Sequence, residues 1–225
     1  MADKKLILLS TAPHIRARQT VPVVMWTVAA ALLPAAAWAV YAFGMYAGIV
    51  MLVSTGAAVL TELVLNLLLR KPVTIGDGSA FLTGLLVAFN MPAANSLPLY
   101  IPVTASVFAI AVAKYAFGGL GHNWMNPALA GRIFVFFAWL TPMTSGWSSF
   151  LNPDVVSKAT PLKALKFGGD AVNYLDLFLG KVPGCIGEVS AAALLLGGLF
   201  LIIRKIVNWE IPAAYFGSAA LLAWI

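Results

Sequence analysis

The sequence predicts an all-α polytopic membrane protein with about six to seven membrane segments, some of them short or broken. Three observations lead there. Of the 225 residues, 61% are hydrophobic and only 10% charged, and the mean hydropathy is +0.93. A soluble domain carries about 25% charged residues, so too little polar surface remains to keep this chain in water. The apolar residues come in successive runs close to the twenty or so that an α-helix needs to cross a bilayer. Some runs are cut short by glycine and proline, as helices are when they break at membrane depth.

In chain order, Met1–Thr20 is polar and basic, with Lys4, Lys5, Arg16 and Arg18, and reads as an amphipathic lead-in. Its apolar piece, Leu6–Leu9, is too brief for a signal-peptide core. Val21–Phe43 and Tyr46–Leu69 are full spans. Ser79–Met91 is apolar but short, with Gly76, Gly78 and Pro92 around it. Leu99–Phe117 is a full run, and Pro127–Leu140 is short again, opened by Asn126 and followed by Pro142. Cys185–Ile203 is the sixth span and Ile211–Ile225 begins a seventh. That last run stops with no polar flank, so the expectation is that the native chain continues or that these residues are a fragment.

Charge sets the expected orientation. With each run counted as a crossing, the four N-terminal basic residues, Arg70, Lys71, Lys114, Arg132, Arg204 and Lys205 fall on one side. The other side carries Lys158, Lys163, Lys166 and Lys181, all within Thr141–Gly184. Short loops rich in Lys and Arg stay in the cytoplasm, which makes residues 1–20 cytoplasmic and residues 141–184 extracytoplasmic in a single transmembrane domain, 1–225. The net charge of +6 therefore reports topology, and no nucleic-acid partner is expected. One cysteine, Cys185, and two separated histidines, His14 and His122, leave no disulfide, no Cys-ligated cluster and no metal site to assemble. Catalytic side chains in the usual sense are not expected either.

Ionisable residues at membrane depth are costly and usually functional. Glu62 lies within the second run, with Asn66 one turn later on the same face. It reads equally as a carboxylate bonded between helices for packing. Asp77 sits at the mouth of the short third run, where it also reads as a helix cap, and Asn90 closes that run. Glu188, near the start of the sixth run, reads as solvated. The loop residues Asp154, Ser157, Lys158, Thr160 and Pro161 look like a turn with a helix start, Thr capping before Pro. Gly118–Pro127 is a glycine-rich connection; such loops can hold phosphate ahead of a helix, but the spacing alone is a weak signal.

Four stretches make a resemblance specific: Ser10–Arg16, Gly78–Gly84, Ala113–Gly131 and Ser157–Leu162. On them the chain resembles the RnfD/NqrB family, membrane subunits of the Rnf ion-translocating ferredoxin:NAD oxidoreductase and of the sodium-pumping NADH:quinone reductase. It is more like the former. The resemblance covers nearly the whole chain. It implies a flavinylation motif, Asp-x-x-Ser/Thr-Gly-Ala-Ser/Thr, whose last hydroxyl takes FMN as a phosphoester from a separate flavin transferase. Asp154, Ser157, Ala159 and Thr160 match it, and Lys158 replaces the usual Gly. Covalent FMN on Thr160 is the resulting expectation, with Ser157, Asp154 and Lys158 around it.

The resemblance further implies partners: RnfA, RnfB, RnfC, RnfE and RnfG, in the lipid bilayer of a bacterial inner membrane. It implies electron relay between ferredoxin and NAD coupled to Na⁺ or H⁺ movement. Asp77 is the first candidate for the ion path and Glu62 the second. The family is internally duplicated in a channel-like fold, and the C-terminal repeat is missing from these 225 residues. A second, non-covalent flavin such as riboflavin, and an ion path needing both halves, cannot be completed from them. Three other readings stay open: an NqrB-type membrane protein, a passive urea-transporter-like channel without redox role, and a membrane scaffold.

Overall fold

Two long helices set the frame in the computed structural model, which describes residues 19–93, 97–144, 148–149, 152–156, 173–188 and 190–224. Helix α1, Val21–Phe43, starts with Pro22 in its first turn, where a missing N–H costs nothing. It ends at Gly44, and α2, Met45–Leu68, returns antiparallel beside it. Their 23 and 24 residues are long and apolar enough to cross a membrane. The expected spans at these places are thus found within a residue or two.

The other apolar helices are shorter. After a 3₁₀ turn, Ile75–Asp77, comes α3, Ser79–Phe89. Helix α4, Tyr100–Phe108, runs on without a break into a π-helical turn, Ala109–Tyr115. Asn126 caps α5, Pro127–Ala138, by accepting from the Ala128 N–H at 3.0 Å. A short α6, Leu140–Thr144, follows, and then an antiparallel pair of strands, β1 (Ser148–Ser149) and β2 (Asn152–Val156). Helices α7 (Tyr174–Leu179), α8 (Ala191–Ile203) and α9 (Glu210–Trp224) complete the described chain. The two segments expected to be short, α3 and α5, have 11 and 12 residues.

Helix α3 fits against α2 because residue 84 is glycine. A Cβ there would stand 2.6 Å from Thr55 Cα and 2.8 Å from the Ser54 carbonyl oxygen. Small residues allow this kind of close helix approach inside membranes. Ser54 then donates to the Gly84 carbonyl at 2.9 Å and pairs with the Ser106 hydroxyl at 2.8 Å, tying α2, α3 and α4 together in the interior.

A half-length helix leaves carbonyls unsatisfied at its inner end. Here the chain between α7 and α8 satisfies them. Gly187 N–H donates to Phe89 O at 2.9 Å, and Ile186 N–H to Met91 O at 3.0 Å. Only glycine fits at 187, since a Cβ would meet Phe89 at 2.4 Å. This corrects the expected sixth span. Helix begins at Ala191, not Cys185, because Cys185 bridges Pro92 and residues 186–188 turn against the end of α3.

The core is apolar, but it also encloses polar groups, and large apolar side chains face outward. Ser54, Glu62, Asn66, Ser79, Ser106 and Lys114 are buried, whereas Leu52, Leu60, Leu67, Phe137 and Leu196 are exposed around the outside. Such an apolar exterior suits lipid. Arg204 and Lys205 line a groove with Gln19 and Val23, and Trp26 of α1 donates to the Gly76 carbonyl at 3.1 Å. The start of α1, the 70–78 turn and the end of α8 therefore share one basic end of the bundle.

Candidate functional site

Near that basic end, Glu62 of α2 is wholly buried. A buried carboxylate is tolerated only when paired and hydrogen-bonded, and this one is both. Lys114 Nζ lies 2.6 Å from Glu62 Oε2, with the side chains 3% and 1% exposed. The same ammonium donates to Ser79 Oγ at 2.7 Å. Thr74 donates to the other carboxylate oxygen, Oε1, at 2.6 Å. Asn66 donates to Thr74 Oγ1 at 3.2 Å and accepts from the Tyr115 hydroxyl at 2.5 Å. The pair is neutral as a unit, which is why a water-poor interior holds it.

Three elements make this arrangement. The one-turn spacing of Glu62 and Asn66 puts both on the inner face of α2, as the sequence indicates. The first turn of α3 supplies Ser79. The π turn supplies Lys114; such turns interrupt α-helical register and are frequent at functional sites. Thr74 is an exposed residue whose hydroxyl touches the buried carboxylate.

Lys114 stands between two cavities. The smaller, about 150 Å³, is lined by Glu62, Asn66, Thr74, Asp77, Lys114 and Tyr115, among others. The larger cleft, about 470 Å³, opens on Lys114 from elsewhere, with Met25, Ser79, Asn123, Trp124 and Asn126 on its walls. The buried Asn123 Oδ1 has no partner among the described residues.

The structure therefore brings Asp77 and Glu62 to one cavity. Asp77 also caps α3, its Oδ1 accepting from the Ser79 N–H at 2.7 Å. Glu188 is 62% exposed, as its position suggests, and faces Arg132 at 3.6 Å. Asp154 lies in β2. Ser157, Lys158 and Thr160, the core of the expected FMN site, lie outside the described residues.

Two basic residues correct the charge count. Lys114 is not a flanking charge but the buried partner of Glu62. Arg132 lies inside α5 and donates to Asn90 Oδ1 at 2.8 Å, at the inner end of α3 rather than the basic end. The sequence does carry a signal for the Glu62–Lys114 pair: opposite charges within two apolar runs are expected to find each other.

Residues 8–225 match the model of the NQR2, RnfD, RnfE family. The chain is 47% identical to the D subunit of the Na(+)-translocating ferredoxin:NAD(+) oxidoreductase complex of Acetobacterium woodii, across 96% of this chain and 69% of that protein. It is 42% identical to the D subunit of the proton-translocating ferredoxin:NAD(+) oxidoreductase complex of Clostridium ljungdahlii, across 98% and 70%. It is also 42% identical to the B subunit of the Na(+)-translocating NADH-quinone reductase of Neisseria meningitidis, across 59% of this chain and 34% of that one.

Proposed function

Since the chain belongs to the NQR2, RnfD, RnfE family, we propose that it is the RnfD component of an Rnf-type complex, which couples electron transfer between ferredoxin and NAD to cation movement across the cell membrane. The observation that carries this reading is the likeness to two such proteins across nearly the whole chain. A buried charge pair bonded to the exposed residue Thr74 and bordering a cavity supports the ionic half of it. The NqrB-type reading is the weaker, because that likeness spans little more than half of the chain.

FMN joined to Thr160 is the redox group in this proposal, and it supplies electron relay. Asp154 and Ser157 shape the loop for the transferase, and Lys158 offsets phosphate charge. A second, non-covalent flavin such as riboflavin is a further redox group in this proposal. Glu62 and Asp77 take the cation at the smaller cavity. The protein sits in the cell membrane with the basic end cytoplasmic and residues 141–184 outside, beside RnfA, RnfB, RnfC, RnfE and RnfG.

Inverted membrane vesicles test the proposal. Reduced ferredoxin should drive NAD reduction together with cation uptake, and deletion of this protein should abolish both. Electron transfer that persists without it, or cation flux independent of ferredoxin, contradicts the proposal. Purified protein that is colourless and passes small solutes would favour the passive channel.

A further inference from the structure

The Glu62 site is already full. Its two carboxylate oxygens are taken by Lys114 and Thr74, and the pair has no net charge. Adding a cation while Lys114 stays would set two positive charges against one carboxylate in a water-poor interior, where like charges repel strongly. Glu62 therefore accepts a cation only when the ammonium withdraws.

The surroundings provide for withdrawal. A lysine is a compact charge on a flexible four-carbon stem, and Lys114 lines both cavities. The larger one offers a buried acceptor, Asn123 Oδ1, that nothing among the described residues satisfies. What the ammonium leaves behind is a position faced by two oxygens, Glu62 Oε2 at 2.6 Å and Ser79 Oγ at 2.7 Å, with Thr74 Oγ1 held on the other carboxylate oxygen. Oxygen donors suit hard cations, and one carboxylate neutralises one positive charge.

We propose that Lys114 is a tethered cation occupying the seat of a small monovalent cation at Glu62, and that it moves into the cleft beside Asn123 when that cation binds. Occupation of the two cavities is then linked. A negative charge in the cleft draws Lys114 away and favours cation binding at Glu62, and by reciprocity a cation at Glu62 presents an ammonium to the cleft. The proposal rests on the reading of this chain as part of a cation-translocating complex, and it makes Lys114 a positioning residue.

The wild-type complex in its native membrane gives the first test, with Na⁺ as the probe. A small amine-acetylating reagent is applied in sodium chloride or in choline chloride of equal ionic strength, and acetylation of Lys114 is read by peptide mass spectrometry. Acetylation should rise several-fold with Na⁺; the same or lower acetylation overturns the proposal. In the second test, binding of a sodium tracer is measured on variants of the complex. If Lys114 holds the seat nine-tenths of the time, removing it raises apparent affinity about tenfold. Lys114→Met should therefore bind Na⁺ about tenfold more tightly, and Glu62→Gln should lose the site. Unchanged or weaker binding in Lys114→Met contradicts the proposal. In-gel flavin fluorescence of the same samples separates the two readings: flavin present with Na⁺-independent acetylation rejects the tethered cation alone.

Discussion

Removing one charge of the buried pair should be far more damaging than removing both. Glu62 Oε2 and Lys114 Nζ are 2.6 Å apart with the side chains 1% and 3% exposed. Glu62→Gln strands an ammonium and Lys114→Met strands a carboxylate. Breaking a buried pair from one side costs about 3–5 kcal/mol, whereas replacing both partners by neutral groups of similar volume is often near neutral. At roughly 2–4 °C per kcal/mol for a domain of this size, each single variant should melt about 6–20 °C below wild type. The double variant Glu62→Gln/Lys114→Met should return to within a few degrees. The assay is a thermal-stability series on the detergent-extracted complex, in choline buffer so that sodium does not compensate for Lys114. Single variants that melt with wild type, or a double variant that loses the sum of both, would refute a desolvated pair.

Other consequences follow from individual contacts. Gly84→Val should overpack the α2–α3 contact and cost about 1–3 kcal/mol, read as a lower melting temperature and reduced yield; a variant as stable as wild type would mean that α3 does not approach α2 this closely. The Cys185 thiol is buried, with the residue 1% exposed. Maleimide labelling at about pH 8, just below the ordinary thiol range, should accordingly be slow in the folded protein and fast after denaturation, and equal rates would contradict that burial. Asp77→Asn keeps an acceptor for the Ser79 N–H, so stability should change by less than about 1 kcal/mol. If Asp77 meets the cation, the cation dependence of electron transfer should weaken in this variant; unchanged dependence leaves Asp77 as a helix cap only.

The parts of the fold that can be read in the sequence are those governed by local rules. The ends of α1 and α2 follow from apolar run length, and the shortness of α3 and α5 from the glycines and prolines beside them. The false start at Cys185 has a clear cause. Apolarity continues across Cys185 and Ile186, but these residues are buried in a bridge and turn against the end of α3, a contact distant in sequence. Lys114 and Arg132 read as flanking charges because a charge near the end of a run looks the same whether it turns to solvent or inward. Glu62 and Asn66 are legible as one face of α2, but Thr74, Ser79 and Tyr115 join them only through packing of α3 and the π turn.

Covalent flavin is the point at which the account is most directly exposed. The complex, produced with its flavin transferase, is denatured in SDS and its bands are viewed for flavin fluorescence. This chain should fluoresce, its Thr160 peptide should carry the added mass of one FMN, and Thr160→Ala should be dark while still inserted in the membrane. A dark wild-type band, or an equally bright Thr160→Ala band, would contradict the assignment of this chain as a flavin-bearing electron carrier.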